Sequence, residues 1–264
     1  MKRPSFVRWR RSQAGVADPK MVSTFAFVVL SLLVVPVRGF SIGEVKHIHT
    51  PAGGALSVYL PPDYDNSTAS YPVLYLLPGS GGNDLTFLGA GYAGYGGAMS
   101  DANVAVIVDK LSEERKIRPL IVACPDSFSS DVVSFVDTTF RTISKRESRA
   151  IAGHSAGGWL SFYTVLLHPE LFSIMGGFSS PRIGNQLPID NATMQNLKSN
   201  PLVFWLYAGT NDPTGAAPSN TDVVAFLRKN GVAVTYVEDD GDHISRVAER
   251  LTEFIEYLSD HLRR

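Results

Sequence analysis

The run Gly153-His154-Ser155-Ala156-Gly157-Gly158, entered from the apolar stretch Ala150-Ile151-Ala152, decides the reading of this chain. It is a G-x-S-x-G pentapeptide with Ser155 at its centre, placed between a strand-like run and a helix-like one. A serine hydroxyl attacks a carbonyl carbon only when it projects from a tight, strained turn, and glycine is what such a turn tolerates at its flanks. The backbone N–H of Ala156 then points at the oxygen that becomes negative in the transition state. The pentapeptide alone is a weak pattern, so the surrounding chain must supply its context.

Outward from Ser155 the apolar pattern alternates between two periods. Ala55–Leu60 reads as a half-buried strand, and Val73–Leu77 and Leu120–Cys124 read as continuous buried ones. Phe172–Gly177, Leu202–Tyr207 and Val232–Val237 extend the series. Helical spacing appears over 101–115, over 131–143, from Trp159 to His168-Pro169, and over Asp222–Lys229. A final helix over 243–262 carries Ile244, Val247, Ala248, Leu251, Ile255 and Leu258 on one face. Strands alternating with helices predict an α/β fold, a mostly parallel central sheet with helices on both faces.

Ser155 needs a base to take its proton and an acid to orient that base. On such a sheet both come from loops after later strands. Asp212 follows Leu202–Tyr207, and His243 follows Val232–Val237, giving the order Ser155, Asp212, His243. Asp239, Asp240 and Asp242 stand too close to His243 to reach the far edge of its ring. The competing reading makes Asp212 an ordinary loop aspartate. His154, inside the serine turn, is expected to pack beneath the loop. His47 and His49 share one face of an early strand without a third ligand at metal-binding spacing. His168 and His261 sit at helix ends, where a cation suits the dipole.

Gly79-Ser80-Gly81-Gly82 follows Val73–Leu77, where a loop donating N–H groups to an oxyanion belongs; the donor is Ser80 or Gly81, with Ala156 as the second. Further on, Gly89-Ala90-Gly91-Tyr92-Ala93-Gly94 matches G-x-G-x-x-G. It neither leaves a strand nor opens a helix, so a nucleotide cofactor is rejected. Two readings stay open there: a loop whose Tyr92 and Tyr95 offer aromatic faces to a substrate, or a surface loop with packed tyrosines. Cys124, the single cysteine, reads as a buried small hydrophobe, and Trp159 as core. No metal or organic cofactor is implied.

The 264 residues, 44% hydrophobic and 19% charged, suffice for one globular domain. A formal net charge of −1 gives no reason to expect a nucleic-acid partner. Residues 1–39 read as a signal peptide: a basic leader, the apolar run Phe25–Val35, and Val37-Arg38-Gly39 as a cleavage site. The run is short for a membrane span, which needs about 20 residues. Secretion is therefore expected, with a mature start near Phe40. An uncleaved membrane anchor is the alternative, as is a start at Met21. Asn66-Ser67-Thr68 and Asn191-Ala192-Thr193 are glycosylation sequons compatible with a secretory route.

The stretch from about residue 42 to 264 resembles the esterase D and feruloyl esterase-like family of α/β-hydrolases. The resemblance lies in Tyr75-Leu76-Leu77-Pro78-Gly79-Ser80-Gly81-Gly82, Cys124-Pro125-Asp126, the Ser155 hexapeptide, Gly209-Thr210-Asn211-Asp212 and Gly241-Asp242-His243. Pro78-Gly79 departs from the family's usual His-Gly. The resemblance implies an α/β-hydrolase domain over 40–264, and no insertion between these landmarks is long enough for a separate cap domain. It also implies hydrolysis of a small-molecule or polysaccharide-linked ester, of feruloyl or acetyl type, through an acyl-enzyme at Ser155. Acyl transfer by the same three residues, and a non-catalytic binding protein on a hydrolase fold, are the alternatives.

Overall fold

The computed structural model describes residues 42–180 and 190–263. The leader and cleavage site expected over 1–39 lie outside the described residues. Among the described residues there are eight strands: β1 (Glu44–His49), β2 (Ala55–Leu60), β3 (Val73–Leu77), β4 (Ile121–Pro125), β5 (Arg149–His154), β6 (Ile174–Phe178), β7 (Val203–Gly209) and β8 (Ala233–Asp239). They form one sheet in the order β1-β2-β4-β3-β5-β6-β7-β8. β2 pairs antiparallel with both β1 and β4. From β4 to β8 every pairing is parallel, so the predicted mostly parallel sheet is present.

The helices are α1 (Val104–Glu113), α2 (Ser130–Thr139), α3 (Ala156–Leu167), α4 (Asn191–Ser199), α5 (Ala216–Lys229) and α6 (Val247–His261). They divide between the two faces as the pleat requires. Val73, Tyr75 and Leu77 of β3 join Val132 and Val136 of α2, Phe162 of α3 and Leu227 of α5 in one core. Leu74 and Leu76, pointing the other way, join Val104 and Val108 of α1 and Leu251, Phe254 and Leu258 of α6 in the second. A strand covered on both faces has no polar side to display, which is why β3 reads as an unbroken apolar run.

Two helix starts and one helix not expected from periodicity differ from the sequence expectation, each for a local reason. α5 begins at Ala216 rather than Asp222. Pro218 and its polar neighbours resemble a loop, yet the first turn of a helix has no intrahelical use for a proline's missing N–H. α4 carries too few apolar residues to be read from periodicity. Asp190 starts it by accepting from the N–H of Thr193 at 2.8 Å. α6 begins at Val247 rather than 243. The carboxylate of Asp242 accepts from the N–H groups of Ile244 (2.9 Å) and Ser245 (2.8 Å), folding 243–246 into a turn. Ile244 therefore leaves the core stripe and is 38% exposed. Among the described residues, no helix is long and apolar enough to cross a membrane.

Candidate active site

β5 ends on His154, and α3 starts on Ala156. Ser155 between them has φ 53° and ψ −122°, a conformation that costs a non-glycine residue on the order of 1–3 kcal/mol. The turn is held from outside, since the Ser155 N–H donates to the Phe178 carbonyl of β6 at 2.9 Å. Its glycines are sterically required. A Cβ on Gly153 would collide with the backbone of Gly157, and one on Gly157 with the carbonyls of Leu77 and Pro78. α3 thus starts pressed against the end of β3, with Ser155 at the mouth.

The Ser155 hydroxyl lies 3.0 Å from His243 Nε2. His243 Nδ1 lies 2.8 Å from Asp212 Oδ2. The Asp212 side chain has no exposure. Its Oδ1 accepts from the Thr214 N–H at 2.8 Å and the Thr214 hydroxyl at 2.7 Å, which leaves Oδ2 for the imidazole. The rival acids are otherwise engaged: Asp239 holds Arg250 and Tyr207, and Asp242 caps the turn beside His243.

A cleft of about 470 Å³ opens over Ser155 and His243, lined also by Ser80, Tyr92, Tyr95, Pro213, Thr214 and Ile244. That size suits a small organic ligand, for which clefts run to roughly 300–1,000 Å³. The loop after β3 turns at Gly79–Gly82, closed by the Gly82 N–H donating to the Gly79 carbonyl at 3.0 Å. Ser80 faces the cleft, whereas Gly81, at φ 80°, occupies the exposed corner of the turn and is not part of the lining. Of the two donors expected from sequence, Ser80 is the one that lines the cleft. The N–H groups of Ser80 and Ala156 donate to no acceptor among the described residues.

The two tyrosines separate. Tyr95 is 74% exposed at the cleft rim. Tyr92 is buried and its hydroxyl is occupied: it accepts from the Gly79 N–H at 2.6 Å and meets His154 Nδ1 at 2.9 Å. It is floor rather than open aromatic face, because an isolated buried hydroxyl would be costly and the chain provides two partners. His154 packs beneath the serine turn as expected, its Nε2 2.8 Å from the His243 carbonyl. Ile244, Pro213 and Thr214 were missed from sequence. Ile244 followed helical periodicity into the wrong element; Thr214, two residues after Asp212, is the spacing of an Asx turn and was legible.

Outside the cleft, His47 Nδ1 bonds the buried Ser57 hydroxyl at 2.7 Å, and that hydroxyl donates to Asp84 at 2.5 Å. Cys124 is buried as expected, and burial pushes its thiol pKa up.

Burial also pushes the His154 imidazole down to about 4 from an ordinary 6.5. Between those pH values an unfolded chain binds a proton on His154 that the folded one refuses. Folded-state stability is therefore unaffected by this group above pH 6.5 and falls as the pH drops toward 4. Urea midpoints at neutral and acid pH should show a smaller acid loss in His154→Gln than in the wild type. Equal losses would discard the assignment.

A serine, histidine and aspartate bonded in that order, on loops at the carboxyl ends of a mostly parallel sheet, define an α/β-hydrolase-type site. Residues 54–243 match the family described as "Putative esterase", and the chain belongs to that family. An endo-1,4-beta-xylanase/feruloyl esterase of Xylanibacter ruminicola is 26% identical over 195 residues, covering 64% of this chain and 24% of that protein. The chain thus spans about a quarter of that relative's length. A solved ferulic acid esterase superposes with a TM-score of 0.70 at 17% identity, covering 83% of this chain and 99% of the other. The ferulic acid esterase of Anaeromyces mucronatus, in complex with ferulic acid, gives 0.68 at 17% identity over 86% and 94%. At such identities the superpositions establish the shared α/β-hydrolase fold.

Proposed function

We propose that the protein is a serine carboxylic-ester hydrolase acting through an acyl-enzyme. The observation that carries this reading is the chain Ser155–His243–Asp212, bonded at 3.0 and 2.8 Å and open to the cleft. Ser155 Oγ attacks the ester carbonyl carbon while His243 Nε2 takes its proton. Asp212 holds Nδ1–H and stabilises the imidazolium. The N–H groups of Ser80 and Ala156 receive the oxyanion. The alcohol leaves with the proton from Nε2, and a water deprotonated by the same nitrogen releases the acid.

Feruloyl- or acetyl-type esters, small or linked to polysaccharide, are the proposed substrates. Family membership and the ferulic acid esterase relatives support that class. The basic leader and the run Phe25–Val35 support export, which would bring the enzyme to such material. A fluorophosphonate probe should label Ser155, identified by peptide mapping, and the purified protein should release ferulate from methyl ferulate or acetate from a short-chain nitrophenyl ester. Folded protein that neither labels nor turns over any ester of the panel would refute the reading.

A further inference from the structure

Three hydrogen bonds run beneath the cleft and use none of the reacting atoms. The Gly79 N–H meets Tyr92 Oη, Tyr92 meets His154 Nδ1, and His154 Nε2 meets the His243 carbonyl. Their directions are fixed. A carbonyl only accepts, so Nε2 carries the His154 proton. Burial keeps the ring neutral, so Nδ1 is bare and accepts. A backbone N–H only donates, so the tyrosine oxygen receives from Gly79, and its own O–H goes to Nδ1. Every group in the relay has its partner.

We infer that Tyr92 and His154 are positioning residues, whose relay holds the oxyanion loop, the serine turn and the backbone of His243 in register with one another. The inference rests on the esterase reading above. Gly79 immediately precedes Ser80, His154 immediately precedes Ser155, and His243 is the base, so one relay touches all three working segments. There is no slack at the junction. A Cβ on Gly79 would stand 2.6 Å from Tyr92 Oη and 2.9 Å from Ser155 Cβ. The His154 ring lies 4.7 Å from the His243 ring. Because His154 is neutral there, it does not oppose the charge His243 acquires during reaction.

Tyr92→Phe removes the hydroxyl and keeps the ring. It leaves the Gly79 N–H and His154 Nδ1 buried without a partner, and the three segments lose their common reference. Misplacement of reacting groups by about 1 Å can cost roughly 100-fold in rate. The loss falls on the transition state, so kcat drops while KM holds.

The test measures kcat and KM on a short-chain nitrophenyl ester, per active site titrated with a fluorophosphonate, for wild type, Tyr92→Phe, His154→Gln and His154→Leu. Glutamine can return a donor to the His243 carbonyl; leucine fills the space without one. Tyr92→Phe and His154→Leu are expected to lose about 10- to 100-fold in kcat at near-constant KM, and His154→Gln to stay within about fivefold of wild type. Loss of folded protein alone lowers the titre and leaves kcat per site unchanged. Wild-type kcat in Tyr92→Phe, or equal losses in the glutamine and leucine variants, overturns the inference. Should Tyr92→Phe fail to fold, the glutamine and leucine pair decides. A wild type that neither labels nor hydrolyses fails the esterase reading instead.

Discussion

Ser155→Ala is expected to lose roughly 10⁵- to 10⁶-fold in kcat on a nitrophenyl ester while its melting temperature stays near that of the wild type. Two features of the serine turn separate chemistry from folding here. The backbone at Ser155 has φ 53°, and alanine, like serine, carries a Cβ, so the substitution adds no new strain. Among the described residues the hydroxyl bonds only His243, so its removal leaves no described buried group stranded. The N–H that pins the turn to Phe178 is backbone and survives. Residual turnover should come from the oxyanion donors and the cleft, which alanine leaves in place. Steady-state kinetics with a burst titration checks this. Activity within tenfold of wild type would mean that another nucleophile does the work.

Legibility in the sequence followed the strength of the physical constraint. The Ser155 turn could be read because steric demand is absolute there: only glycine fits at 153 and 157 against the backbones it meets. The strands β3 and β4 could be read because burial on both faces leaves a continuous apolar signature. Asp212 and His243 could be placed because a parallel sheet sends its loops to one end. What stayed hidden was set by side-chain hydrogen bonds between distant segments. Nothing in the loop Gly89–Gly97 announces that the Tyr92 hydroxyl would be claimed by Gly79 and His154, while Tyr95, three residues on, would remain exposed. Ile244 was lost to the same cause on a smaller scale, since an aspartate cap overrode an apolar period that ran through it.

The cleft gains its character from those same hidden contacts. Tyr95 and Ile244, both exposed and both apolar in the main, stand at its rim beside the exposed Ser80, Thr214 and Asp242, while Ser155, His243 and His154 lie deeper. An ester entering such a site would set an apolar part against Tyr95 and Ile244 and bring its carbonyl to Ser155. That division of labour is common to small-ligand clefts, where apolar lining supplies affinity and a few polar groups fix orientation.

Asp212→Asn carries the second large expected effect, on the order of 10⁴-fold in kcat/KM, and the direction follows from Thr214. Both donors of Thr214, its N–H at 2.8 Å and its hydroxyl at 2.7 Å, point at Oδ1 of Asp212. An asparagine there turns its carbonyl oxygen toward Thr214, because the reverse orientation would set an NH₂ against the Thr214 backbone N–H, which can only donate. Its NH₂ then faces His243 Nδ1 in place of the carboxylate oxygen now 2.8 Å away. An NH₂ can only donate, so Nδ1 must be the bare nitrogen and Nε2 must carry the proton. Nε2–H would then donate to Ser155 instead of receiving its proton, and the base is in the wrong tautomer. The geometry is conserved by the substitution and the chemistry is not, so folding and KM should change little while kcat collapses. Thr214→Val in the same background removes one of the two donors, weakens the constraint on the amide and should recover part of the loss. Kinetics of the single and double variants on one ester measures both steps. A single variant within tenfold of wild type would show that Asp212 does not orient His243.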